Sequence, residues 1–119
     1  MSPEPEADLE LTPERAAELV AAGAELIDVR RPYEWDGGRL AGARNIEMNE
    51  LVAAAEDIAR DRPVIFYCRS GDRSRMAADA FHEAGYDAHT ISGGITAWVA
   101  EGRPLEPDDG EVRAPLPAS

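Results

Sequence analysis

An apolar run, Val64-Ile65-Phe66-Tyr67, ends in the only cysteine of the 119-residue chain, Cys68, and passes at once into Arg69-Ser70-Gly71-Asp72-Arg73-Ser74-Arg75. A thiol at the mouth of such a turn is a nucleophile candidate. A lone cysteine is most often a buried, inert small hydrophobe, but three arginines, two serines and a glycine in the next seven residues do not describe a core position. Beyond the turn, Met76, Ala77, Ala80, Phe81 and Ala84 recur at helical spacing, which puts Cys68 between the end of a buried strand and the first turn of a helix. There the free backbone N–H groups and the positive end of the helix dipole stabilise negative charge, and a thiolate gains from that field. Gly71 permits the positive φ that turns successive N–H groups inward. Arg69 and Arg73 add charge to the loop, whereas Arg75 belongs to the helix surface.

The elements that must position this loop alternate between strand-like and helix-like segments, the pattern of crossover units around a parallel sheet. Asp8 to Leu11 reads as a short edge strand. Thr12 and Pro13 form a helix start, with Ala16, Leu19 and Val20 as its buried stripe and Gly23 as its end. Glu25 to Val29 is the next strand, Tyr33 to Asp36 a single helical turn stopped by Gly37-Gly38, and Arg44 to Ile46 a short strand. Asn49 to Ile58 reads as a helix, Pro63 to Tyr67 as a central strand and Ala88 to Ile91 as another. Residues 1–7 read as a flexible N-terminus and residues 8–103 as the domain. Residues 104–119, acidic and with four prolines, have too few large apolar side chains for an independent core. They form either a disordered tail or an arm lying on the domain.

In open α/β sheets ligands gather at the carboxyl ends of strands, where the strand order reverses. Asp28 and Arg30, ending one strand, are therefore expected near Cys68, either supporting the site or only bracing loops as an ion pair. Glu34 is expected to be the structural partner of an arginine rather than a proton-transfer group. His82 falls several turns along the helix after the loop and His89 on a strand, so a Cys–His dyad is poorly supported. Trp35 and Trp98 are candidate pocket walls, with core packing favoured for Trp98.

Twelve Lys plus Arg against twenty-four Asp plus Glu leave a net charge of −12, which repels nucleic-acid backbones and anionic lipid surfaces. One cysteine excludes an internal disulfide and a multi-cysteine metal site, and a free thiol suits a reducing, cytoplasmic setting. The acidic first residues lack the apolar stretch of a signal peptide, and no run is long enough to span a bilayer.

The chain resembles the rhodanese family at three ordered places. Leu26-Ile27-Asp28-Val29-Arg30, followed by Glu34, Gly38 and Gly42-Ala43-Arg44-Asn45-Ile46, is similar to the family's first signature, although Arg39 stands where the family usually has His. Cys68-Arg69-Ser70-Gly71-Asp72-Arg73-Ser74 resembles the active-site loop of single-domain rhodaneses, and Ser92-Gly93-Gly94-Ile95-Thr96-Ala97-Trp98 the closing signature. The resemblance implies a three-layer α/β/α sandwich around a mainly parallel five-stranded sheet. It implies a sulfurtransferase in which the Cys68 thiolate takes the outer sulfur of thiosulfate or a similar anionic donor, releases sulfite and holds a persulfide. Arg69, Ser70, Gly71, Asp72 and Arg73 would bind the donor, Arg73 foremost. Without a second cysteine the acceptor is external, for instance cyanide, glutathione or a reduced thioredoxin-like protein. No metal or organic cofactor is implied.

Two other readings use the same residues. Cysteine phosphatases and arsenate reductases also place a thiolate at a helix N-terminus before an arginine, but the phosphatases put five residues between the two, and here four separate Cys68 from Arg73. A binding or redox-sensing domain, with Cys68 forming a sulfenic acid or a stable persulfide, is the reading from a different class.

Overall fold

The computed structural model describes residues 8–115; the expectation for residues 1–7 and the part of the tail from 116 onward lie outside the described residues. Strands β1 (Glu10–Leu11), β2 (Glu25–Asp28), β3 (Arg44–Asn45), β4 (Val64–Tyr67) and β5 (Ala88–Ile91) form one sheet in the order β1-β5-β4-β2-β3. Every neighbouring pair is parallel, so the sheet expected to be mainly parallel is wholly so. Helices α1 (Pro13–Ala21), α2 (Pro32–Gly37), α3 (Leu51–Ala54), α4 (Asp72–Glu83) and α5 (Gly94–Ala100) complete the domain.

The sheet is covered on both faces, which is why its central strand is an uninterrupted apolar run. Side chains alternate between the two layers. Val64, Phe66 and Cys68 join Ala77, Ala78 and Phe81 of α4 in one core, while Ile65 and Tyr67 join Ala16 of α1 and Ile95 of α5 in the other. Phe81 packs between Phe66 and Tyr86, tilted against the first and edge-on to the second with centroid distances of 5.0 and 4.8 Å, and anchors the helix that follows the cysteine loop. The start of α1 is as expected: Thr12 Oγ1 accepts the Arg15 N–H at 3.1 Å and Pro13 occupies the first turn.

One element differs. The continuous helix expected over residues 49–58 is a 3₁₀ turn (Met48–Glu50), the single turn α3 and a second 3₁₀ turn (Ala55–Asp57). No side chain caps any of the three segments, and of their residues only Leu51 is buried. One buried anchor does not hold a regular helix against the sheet, because tertiary packing rather than propensity stabilises short helices.

After α5 the chain lies along the domain. Leu105 is buried, Arg39 and Glu106 exchange backbone hydrogen bonds at 3.0 and 2.7 Å, and the Glu111 N–H reaches Gly37 O at 2.8 Å. Arg113 stacks over the Tyr33 ring and donates to Tyr33 O at 2.9 Å. Trp98 packs half-buried against the second core and donates its indole N–H to Pro104 O. This arm therefore holds α2, the helix that carries Glu34.

Candidate active site

The strand order reverses between β2 and β4: β3 lies outside β2 on one side, while β4 and β5 lie on the other. The carboxyl ends of β2 and β4 meet there, with Asp28 opposite Tyr67 in register, so Asp28, Arg30 and Cys68 leave adjacent strands as neighbours.

Cys68 is fully buried. Its Sγ accepts the Gly71 N–H at 3.1 Å and faces the Ser74 hydroxyl at 3.5 Å. Gly71 is the N-cap of α4 and has φ +106°, a left-handed conformation that glycine adopts without steric cost and that swings its N–H back onto the sulfur. The next N–H groups, those of Asp72, Arg73 and Ser74, sit in the first turn of a twelve-residue helix and have no acceptor within it. Ser70 and Asp72 are exposed, and Arg69, Gly71 and Arg73 are half-buried, so the loop itself separates Sγ from solvent.

The back of the loop is fixed by the Gly-Gly turn before α5. The N–H groups of Ile95 and Thr96 donate to Cys68 O at 2.9 Å and Arg69 O at 3.1 Å. Gly94, at φ +60°, approaches so closely that a Cβ there would lie 2.5 Å from Cys68 O and 2.6 Å from Arg69 O. With both carbonyls turned toward α5, the N–H groups of Arg69 and Ser70, in the same trans peptide units, are directed away from α5.

Arg73 does not project freely. Its guanidinium is bidentate on Glu34, at 2.9 and 3.0 Å, and Glu34 is completely buried, matching its expected role as the partner of an arginine. Burial pushes the Glu34 carboxyl up, but the hydrogen bonds and charge of Arg73, aided by the Arg31 N–H and the Arg30 charge, outweigh it and hold the carboxyl below its ordinary value. The hydrogen bonds to Glu34 make Arg73 more firmly cationic; burial opposes this, and the charges of Glu34, Cys68 and Asp28 add to it.

Asp28 and Arg30 form a second, wholly buried pair, with Nη2 to Oδ2 at 2.7 Å and Nε to Oδ1 at 2.9 Å. Arg30 also donates to Gly38 O at 2.7 Å, and the Asn45 amide spans Asp28 O and Arg30 O, both at 2.9 Å. Burial works against the Arg30 charge, but its bonds to Asp28 and the Asp28 charge prevail. These two residues brace the loops beside the cysteine. Two buried guanidinium nitrogens, Arg30 Nη1 and Arg69 Nε, have no hydrogen-bond partner among the described residues; Arg30 is nonetheless engaged on Asp28, whereas Arg69 is half-buried in the loop.

The histidines are not at the site. His89 is held between Asp8 O at 2.6 Å and Asp87 Oδ1 at 2.7 Å, and His82 is exposed on α4. Arg39, in the usual histidine position, stacks over Trp35 and donates to Trp35 O at 3.2 Å. Arg75 pairs on the surface with Glu10 and Asp79. Reasoning from sequence missed Thr90, whose Oγ1 is 2.7 Å from Ser74 Oγ. Its signal was a hydroxyl on the core-facing side of an otherwise buried strand.

A stability effect follows from the Glu34–Arg73 pair. Glu34→Gln is expected to cost about 2–3 kcal/mol near neutral pH by leaving the guanidinium without its charge partner. Because the native carboxyl titrates below its ordinary value of 4.5, its contribution is complete above that value and is lost as the pH falls through the native value. Urea midpoints should therefore differ most at neutral pH and converge as the pH falls below the native value; a constant difference would contradict this.

A wholly parallel α/β domain with a thiol cradled at a strand–helix turn defines a class of enzymes and binding modules built on one cysteine loop. Within that class, residues 12–101 match the family model described as the rhodanese-like domain, and the chain belongs to this family. It is 40% identical over 76 residues to the uncharacterized protein YqhL of Bacillus subtilis, covering 63% of this chain and 60% of that protein. It is 33% identical over 91 residues to the thiosulfate sulfurtransferase GlpE of Pseudomonas paraeruginosa, covering 74% of this chain and 81% of the relative. Among solved structures, a rhodanese-related protein from Thermoplasma volcanium superposes with a TM-score of 0.76 at 29% identity, covering 81% of this chain and 95% of that one. No helix among the described residues is long and apolar enough to cross a membrane.

Proposed function

We propose that this domain is a sulfurtransferase that carries sulfane sulfur on Cys68. The observation that carries the reading is the pair of donors aimed at Sγ, the Gly71 N–H at 3.1 Å and the Ser74 hydroxyl at 3.5 Å, placed where negative charge rests before attack and again when sulfur departs. The Cys68 thiolate attacks the outer sulfur of thiosulfate; the S–S bond of the donor breaks and sulfite leaves with the electron pair. The terminal sulfur of the resulting persulfide is then taken by a thiol, cyanide or a reduced thioredoxin-like protein, and the thiolate is regenerated. No cofactor enters either step, and the partners are small anions and thiophiles in a cytoplasmic setting rather than nucleic acid or membrane.

The four-residue span between Cys68 and Arg73 supports this reading over a phosphatase. Glu34 already occupies both ends of the Arg73 fork, which a phosphoryl group would need for bidentate binding. Arg69, half-buried in the loop with its Nε unpartnered among the described residues, is the loop cation left to draw in a donor dianion, since Arg30 is wholly buried on Asp28. Arg69→Ala is expected to raise the KM for thiosulfate about tenfold, as loss of one charge-assisted hydrogen bond does. Arg75→Ala should leave it unchanged, because that side chain is committed to surface ion pairs. Thiosulfate-to-cyanide transfer assays, repeated with 3-mercaptopyruvate, test the reading: thiosulfate should be preferred. Hydrolysis of p-nitrophenyl phosphate without any sulfur transfer would overturn it.

A further inference from the structure

Thr90 is 1% exposed and faces α4 from β5, on the same side of the sheet as Ala88, in a place where valine has the same shape. A hydroxyl there is unfavourable unless it is hydrogen-bonded. Its only partner among the described residues is Ser74 Oγ, at 2.7 Å. Ser74, also fully buried, has one proton and three neighbours: Thr90 Oγ1, Gly71 O at 3.3 Å and Cys68 Sγ at 3.5 Å. If Ser74 gave its proton to Thr90, the sulfur would lose that donor. If Thr90 donates instead, the Ser74 proton is left for Gly71 O or Sγ, and a negatively charged sulfur is the stronger acceptor.

We infer that Thr90 is a positioning residue for the reactive sulfur: its hydroxyl donates to Ser74 and thereby directs the Ser74 proton onto Cys68 Sγ when that sulfur is charged. The relay Thr90→Ser74→Sγ is a chain of hydrogen bonds in a buried site, where each bond polarises the next. When Cys68 holds a proton it is a weak acceptor, and Ser74 turns to Gly71 O. The hydroxyls thus reorient with the charge on sulfur and leave the backbone where it is. The inference rests on Cys68 as the reactive group, and its test needs no sulfur donor.

The full-length protein and its Thr90→Val, Thr90→Ser, Ser74→Ala and Ser74→Ala/Thr90→Val variants are titrated by the far-ultraviolet absorbance of the thiolate, with Cys68→Ser as the blank. The charged groups around the loop, Arg69, Asp72 and Arg73 on the loop itself, Asp28 at the end of β2 with its partner Arg30 just beyond it, and Glu34 on α2, are the same in every variant. At the pH where the wild type is half ionised, Thr90→Val should lower the ratio of thiolate to thiol about three- to tenfold, the worth of one hydrogen bond. Thr90→Ser should restore most of it, and the double variant should match Ser74→Ala alone. Urea midpoints establish that each variant is folded. A Thr90→Val protein that titrates like the wild type, an equal loss in Thr90→Ser, or additive effects in the double variant would each overturn the relay. Failure of sulfur transfer with an intact relay would instead count against the proposed function.

Discussion

Cys68→Ser is expected to reduce sulfur transfer by at least about a thousandfold, because a serine hydroxyl supplies neither an ionised nucleophile near neutral pH nor a leaving group for the second step. The fold should survive. An oxygen at this position still meets the Gly71 N–H and the Ser74 hydroxyl that now face Sγ, so the polar atom is not left unpartnered in the core, and a change of about 1 kcal/mol in stability is expected. Transfer assays and urea unfolding on the same preparations check the two halves. Activity within tenfold of wild type in a folded Cys68→Ser protein would remove Cys68 from the mechanism.

The second large effect belongs to a glycine that acts through the backbone of the loop. Gly94→Ala should lower kcat/KM about a hundredfold, as angstrom-scale misplacement of catalytic groups does. The added Cβ would press on Cys68 O and Arg69 O at 2.5 and 2.6 Å, and neither carbonyl can yield without turning the loop that presents the Gly71 N–H to the sulfur. The left-handed backbone at φ +60° adds roughly 1–2 kcal/mol of strain for any residue with a side chain. Gly42→Ala is the control. It also sits at positive φ, +81°, but nothing lies within 4 Å of its Cβ position, so it should lose a similar amount of stability and little activity. Equal losses of activity in the two would show that backbone strain, not pressure on the loop, is responsible.

The contrast between these positions marks how far the sequence can be read. The apolar run of Val64 to Tyr67, the Thr12-Pro13 helix start and the glycine between Cys68 and α4 were legible because each is a local preference that the structure also uses. Position 94 was legible as part of a Gly-Gly turn, but the reason only glycine fits there is a contact with a loop some 25 residues earlier in the chain. The segment after β3 was misread because helical spacing carries no information about how little of residues 48–57 the sheet buries. Glu34 and Arg73 lie 39 residues apart and meet because the arm after α5 holds α2 against the end of the sheet. The sequence pointed to an unspecified arginine as the partner of Glu34 and to Arg73 as the foremost donor-binding group; only the fold determines that the Arg73 guanidinium is engaged by Glu34 on both of its prongs. Thr90 was hidden for a related reason: in a strand of buried residues a threonine counts as a β-branched core side chain until its hydroxyl partner is known.

The claim that Cys68 carries the transferred sulfur is tested most directly by mass spectrometry of the intact protein before and after exposure to thiosulfate, followed by peptide mapping. One sulfur atom should be gained at Cys68, removed again by cyanide, and absent from Cys68→Ser. A protein that gains only oxygen at Cys68, gains nothing, or gains sulfur in the serine variant as well would contradict the account.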